Sequence, residues 1–115
     1  MDTPFFSDRN QQPVRTRMEW LQQVKAIAFE ALKEHHITLY LFGSWARNEE
    51  KVSSDIDLAI DYSPGSLPPG TLANMRLAFE ESTIPYQVDL VDLTKVDEEF
   101  RQHVLKEGKV LCWTD

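Results

Sequence analysis

Residues 38–61 read TLYLFGSWARNEEKVSSDIDLAID, and this stretch decides how the chain folds. Thr38 to Phe42 is β-branched and aromatic, short, and stopped by Gly43, which predicts a strand. Ser44 is placed to cap a short helical turn beginning at Trp45. Asn48 to Ser54 is a charged loop. From Asp55 to Asp61 the residues alternate: Ile56, Leu58 and Ile60 point one way, and Asp55, Asp57, Ala59 and Asp61 the other. That is a second strand with one apolar and one acidic face.

The flanking elements follow from the same rules. Met18, Leu21, Val24, Ala28, Ala31 and Leu32 recur at helical spacing, predicting a helix over 18–34. His35 and His36 come after it, and favourable interaction with the helix dipole accounts for them better than a metal does. YSPGSLPPG, residues 62–70, is a Pro/Gly loop. Thr71 then caps a helix burying Leu72, Met75 and Phe79. YQVDLV, residues 86–91, is a third strand. Residues 97–106 form a helix with Phe100 and Val104 inward; Gly108 ends it, and 110–113 is a last strand. The order predicts an α/β (α+β) domain with a small mixed sheet flanked by helices, over 18–115. Residues 1–17, polar and carrying Pro4 and Pro13, read as a flexible N-terminal arm.

At 115 residues the chain has room for one ordinary domain. Lys plus Arg is 12 and Asp plus Glu is 19, a net charge of −7, which argues against general binding to a nucleic-acid backbone. The single cysteine, Cys112, excludes an internal disulfide and a Cys-rich zinc site, and reads as a small semi-buried strand residue. No apolar run has the length of a signal peptide or a membrane span, so a cytoplasmic protein is expected.

Three features carry chemistry. The Gly43-Ser44 corner follows a strand and opens a helical turn, where backbone N–H groups and the local dipole favour an anion; Gly43 lets a phosphate approach closely. On its own such a corner is usually just a turn. Asp55 and Asp57, at i and i+2, sit about 6.5 to 7 Å apart on one strand face and repel each other. A divalent cation offsets that repulsion, because Mg²⁺ takes one or two carboxylates with phosphate oxygens and water; the duller account is a solvated outer face. Asp89, between Val88 and Leu90, joins the same face if the third strand lies beside the second. Three acids can then serve a pair of metal ions.

The run GSWARNEEKVSSDIDLAI, followed by VDL, resembles the DNA polymerase β-like nucleotidyltransferase superfamily. It is most similar to the stand-alone minimal nucleotidyltransferase (MNT) domains. The resemblance covers about Met18 to Trp113 and implies the polymerase β-like palm fold. It also implies that Gly43 and Ser44 hold the triphosphate of a nucleotide, with Arg47 contacting phosphates. Asp55, Asp57 and Asp89 would bind two Mg²⁺ ions, Asp89 also helping to deprotonate the acceptor. Arg47 is equally readable as a surface ion pair with its acidic neighbours. The sequence departs from the family's Gly-Ser-x-Ala-Arg-Gly form at Asn48, a residue that still tolerates the left-handed conformation.

Such domains often act beside a helical HEPN protein encoded nearby, an RNase toxin for which the MNT protein is antitoxin. The expected function is therefore transfer of AMP from ATP to a hydroxyl, a tyrosine of such a partner. A hetero-oligomer or a homodimer fits a chain with one open acidic face. Two rivals are an antitoxin acting by contact alone, and transfer to a small molecule.

The remaining candidates read as structural. Asp61 is a strand-end acid, and Asp92 alternates away from Asp89. Glu49, Glu50 and Lys51 form a solvated loop. His103 is a helix residue and no base. Trp45 packs on the first helix in preference to stacking on a nucleobase, and Trp20 and Trp113 anchor core or interface.

Overall fold

The structure, a computed structural model, describes residues 16–33, 35–62 and 67–114. Residues 1–15 of the expected arm, with Phe5 and Phe6, and 63–66 of the Pro/Gly loop lie outside them. The elements are α1 (Arg17–Leu32), β1 (Ile37–Phe42), α2 (Gly43–Ala46), β2 (Ile56–Tyr62), α3 (Thr71–Glu80), β3 (Val88–Asp92), α4 (Glu98–Glu107) and β4 (Lys109–Thr114). Their order is the one the sequence predicts.

α1 starts where a capping box satisfies its first N–H groups. The Glu19 amide donates to the Thr16 hydroxyl at 3.1 Å, and the Thr16 amide donates back to the Glu19 carboxylate at 2.8 Å. Its buried line is Val24, Ala28 and Leu32, in steps of four. Met18 does not join it and is 68% exposed: six residues before Val24 is about 120° around the helix at 3.6 residues per turn. His35 and His36 follow the C-cap Lys33, just past the last turn; the His35 ring sits edge-on to Tyr62, centroids 6.3 Å apart.

The two expected hydroxyl caps are also corrected. Gly70 (φ 89°), and not Thr71, is the N-cap of α3; Thr71 is buried as its first residue. Ser44 lies inside α2, whose chain turns at Gly43 (φ 73°) straight out of the strand. In both places a glycine in the left-handed region makes the turn that a capping side chain was expected to make. Asp97 does cap α4, accepting from the Phe100 amide at 2.8 Å.

The sheet is mixed, in order β3-β2-β1-β4. β1 is antiparallel to both β2 and β4, while β2 and β3 are parallel and joined through α3. Alternation gives the sheet two faces. Ile37, Leu39 and Leu41 of β1 and Ile56, Leu58 and Ile60 of β2 form the main core with α1 and with Met75 and Phe79 of α3. Cys112 belongs to this core and its thiol is pushed up by burial, the inert role expected. On the second face Ala59, Leu93 and Val104 are buried, with Tyr40, Phe42, Val91 and Phe100 packed around them. α4 therefore roofs part of the second face, the face that also carries the acidic residues of β2.

Candidate active site

The register puts the key residues in one row across three strands. Phe42, the last residue of β1, lies opposite Asp57, and Asp57 lies beside Asp89 in the parallel pair. Adjacent strands are about 4.8 Å apart, so in-register side chains on one face are neighbours. Asp55 comes two residues before Asp57, just ahead of β2. Asp57 is half-buried; Asp55 and Asp89 are exposed. Burial pushes the Asp57 carboxyl above the ordinary range, and the charges of Asp89 and then Asp55 push it further, against an opposing pull from Arg47. Asp57 thus sits within the charge of both other acids.

Gly43 closes the corner. A methyl group added there would overlap Asp57 Oδ2 and come within 3.1 Å of its Cγ. The Asp57 carboxylate therefore fits against bare backbone, and any side chain at position 43 would displace it. The positive φ of Gly43 favours glycine on its own account. The first N–H groups of α2 have no partner within a helix this short, which leaves donors at the corner.

Arg47 follows α2. Its Nε meets Glu49 Oε1 at 3.0 Å on the surface, the ion pair with an acidic neighbour that the sequence allowed, and its charge also reaches Asp57. Asn48 adopts φ 60°, the left-handed conformation it was expected to tolerate. Trp45 is 2% exposed and packs with its ring centroid 5.0 Å from Tyr86, which in turn meets Trp20 of α1 at 6.0 Å. Arg17, the first residue of α1, also lies 5.6 Å from the Trp45 centroid, so the ring packs toward the first helix as expected.

Some participants were missed. Glu50, read as a solvated loop residue, has a side chain only 17% exposed and is paired at 2.8 Å with Arg17, read as part of the arm. Thirty-three residues separate them, so no local pattern signals the pair. Tyr86, taken only as the start of a strand, holds Trp45 in place. Asp61 pairs with Arg101, and Asp92 accepts from the amide of Thr94 at 2.9 Å and from its hydroxyl at 2.6 Å, serving the turn after β3.

As the side chains stand, no three His, Cys, Asp or Glu groups among the described residues converge to hold a metal ion by themselves. Mg²⁺ does not require such a cage, since it is bound through one or two carboxylates plus phosphate oxygens and water. The donor set fits that arrangement. Asp57 and Asp89 are hard oxygen donors on adjacent strands, Asp55 is close by, and their mutual repulsion is what a cation would relieve.

Comparison with known proteins gives this geometry a lineage. Residues 22–115 match the family described as polymerase beta, nucleotidyltransferase. The chain belongs to that family. It is 37% identical over 92 residues to the probable protein adenylyltransferase MntA of Haemophilus influenzae, covering 78% of this chain and 76% of that protein. Among solved structures it is similar to a minimal nucleotidyltransferase, with TM-score 0.66 and 26% identity over 84% of this chain and 98% of that one. It is also similar to a toxin–antitoxin complex with AMP-PNP, with TM-score 0.67 and 25% identity over 83% of this chain and 74% of that one. The fold alone is shared, at 23% identity and TM-score 0.64, with the structure of a tri-AMPylated Shewanella oneidensis HEPN toxin in complex with an MNT antitoxin; the match covers 86% of this chain and 74% of that one. The chain is thus a nucleotidyltransferase with the fold and family its sequence resembles. No helix among its described residues is long and apolar enough to cross a membrane.

Proposed function

We propose that this nucleotidyltransferase moves AMP from ATP to a hydroxyl of a partner protein, a tyrosine of a HEPN-type toxin, and so acts as its antitoxin. The observation that carries the reading is the row Phe42–Asp57–Asp89 with Gly43 packed against the Asp57 carboxylate: acids and anion corner share one wall. The kinship with an adenylyltransferase and the likeness to a toxin–antitoxin complex with AMP-PNP support the choice of group and partner.

In this reading the N–H groups of Gly43 and Ser44 and the Ser44 hydroxyl bind the phosphates, and Arg47 adds positive charge beside them. Asp55, Asp57 and Asp89 hold two Mg²⁺ ions, which supply charge neutralisation and a more acidic acceptor hydroxyl when bound. Asp89, the exposed acid on the edge strand, receives the acceptor proton. The hydroxyl oxygen bonds to the α-phosphorus, the bond from that phosphorus to the bridging oxygen breaks, and pyrophosphate leaves. The chain's part is positioning and electrostatics.

The test is incubation of the chain and its partner with Mg-ATP, followed by intact mass. The partner gains one or more adenylyl groups. Asp57→Ala, folded by circular dichroism, loses about a thousandfold in rate, the upper range for removing one charge-stabilising group. Undiminished transfer by that variant overturns the mechanism.

A further inference from the structure

We infer that Arg17 is a positioning residue for the nucleotide-binding corner, an inference that rests on the proposed function. α2 is a four-residue turn, too short to be stable by its own hydrogen bonds. Phosphate binding nevertheless requires its N–H groups to be fixed in advance. Two bonds inside the corner hold its far side: Glu49 N–H to Ser44 C=O at 2.9 Å and Asn48 N–H to Trp45 C=O at 3.4 Å.

Arg17, the first residue of α1, gathers these parts from outside. One terminal guanidinium nitrogen donates to the Trp45 carbonyl at the end of α2. Its Nε donates to Glu50 Oε2 at 2.8 Å. Its Cζ lies 5.6 Å from the centroid of the buried Trp45 ring. One planar group thereby ties α1, α2 and the loop before β2 together. The capping box fixes the root of this arm, since Thr16 and Glu19 set the first turn of α1.

Glu50 makes the arrangement demanding. Its Oε1 is buried with no hydrogen-bond partner among the described residues, and the carboxylate's charge is met by Arg17 through Oε2. Loss of Arg17 would leave a mostly buried negative charge uncompensated near the corner meant for phosphate. Lysine cannot replace it fully, because one ammonium on a flexible stem lacks the planar fork that serves a carbonyl and a carboxylate while lying over a ring.

The experiment uses the full chain, as Arg17→Ala, Arg17→Lys and Arg17→Ala/Glu50→Gln. Hydrogen exchange reads the corner without any reaction: in Arg17→Ala the amides of Asn48 and Glu49 exchange about tenfold faster, as expected for losing a bond to a charged group, while β1 and β2 amides keep their protection. In steady-state transfer, KM for ATP rises by a similar factor of about ten and KM for the acceptor protein is unchanged. Arg17→Lys recovers part of both effects, and the double variant recovers less than half, because removing the charge of Glu50 does not restore the tie to Trp45. Unchanged exchange at 48 and 49, or full recovery in the double variant, overturns the inference. Absence of transfer by the wild-type chain would instead count against the proposed function, leaving the exchange result to stand by itself.

Discussion

Asp57 and Asp61 stand on the same face of β2, four residues apart, in opposite electrostatic company. Asp61 receives both terminal nitrogens of Arg101 from α4, at 3.0 and 3.3 Å, and its charge is answered within the chain. Asp57 lies beside Asp89 and feels the charge of Asp55 as well, with Arg47 as a moderating charge. One end of the face is closed by the protein's own cation, while the other is where the proposed mechanism places metal ions. This unequal treatment is the feature on which the proposed active site rests.

The comparison breaks hardest at Gly43. Gly43→Ala inserts a methyl group against the Asp57 carboxylate and imposes a left-handed conformation that costs about 1–2 kcal/mol for a residue with a side chain. Transfer should fall about a hundredfold, the effect expected when reacting groups are misplaced by an ångström. The Asp61–Arg101 pair should be untouched, which the thermal stability contribution of Arg101 in the Gly43→Ala background will check.

Arg101→Ala acts on the other end. The pair is partly exposed, with side chains 30% and 21% accessible, so its loss should cost about 1 kcal/mol in urea unfolding, and little in turnover per folded molecule. A large loss of turnover would mean that α4 shapes the acid site as well as roofing the sheet.

The smallest effect is the one that sharpens the contrast. The folded-state pKa of Asp57 is raised, so the native state holds its proton to higher pH than the unfolded chain does. Native stability from this group is greatest below its unfolded pKa and is lost as pH rises through the folded pKa. Asp57→Asn should therefore unfold at a higher temperature than wild type at neutral pH in the absence of metal. The gap should shrink to nothing as pH falls below the ordinary aspartate range. The same substitution should also impair transfer, so that stability and activity move in opposite directions.

Most of the fold was legible because its signals are local. The alternation of DIDLAID set the two faces of β2, and the β-branched run before Gly43 set β1. Asp89 could be named from VDL, but its place beside Asp57 depends on a parallel register formed across α3, which no short pattern encodes. Ser44 and Thr71 were assigned as caps because hydroxyls there usually cap; each follows a glycine whose positive φ had already turned the chain. Arg17 and Glu50 were read as solvent-facing because charge is normally solvated, and only tertiary packing brings them together.

The parallel pairing of β2 and β3 has a consequence for synthesis. Asp57 is complete early, but its neighbour belongs to a strand 32 positions later that can dock only after the intervening helix has crossed over. A nascent polypeptide halted before residue 89 lacks the second acid of the row, and also α4 and β4, the other partner of β1. In the proposed mechanism, the row of acids exists only once the β3 edge strand has docked beside β2.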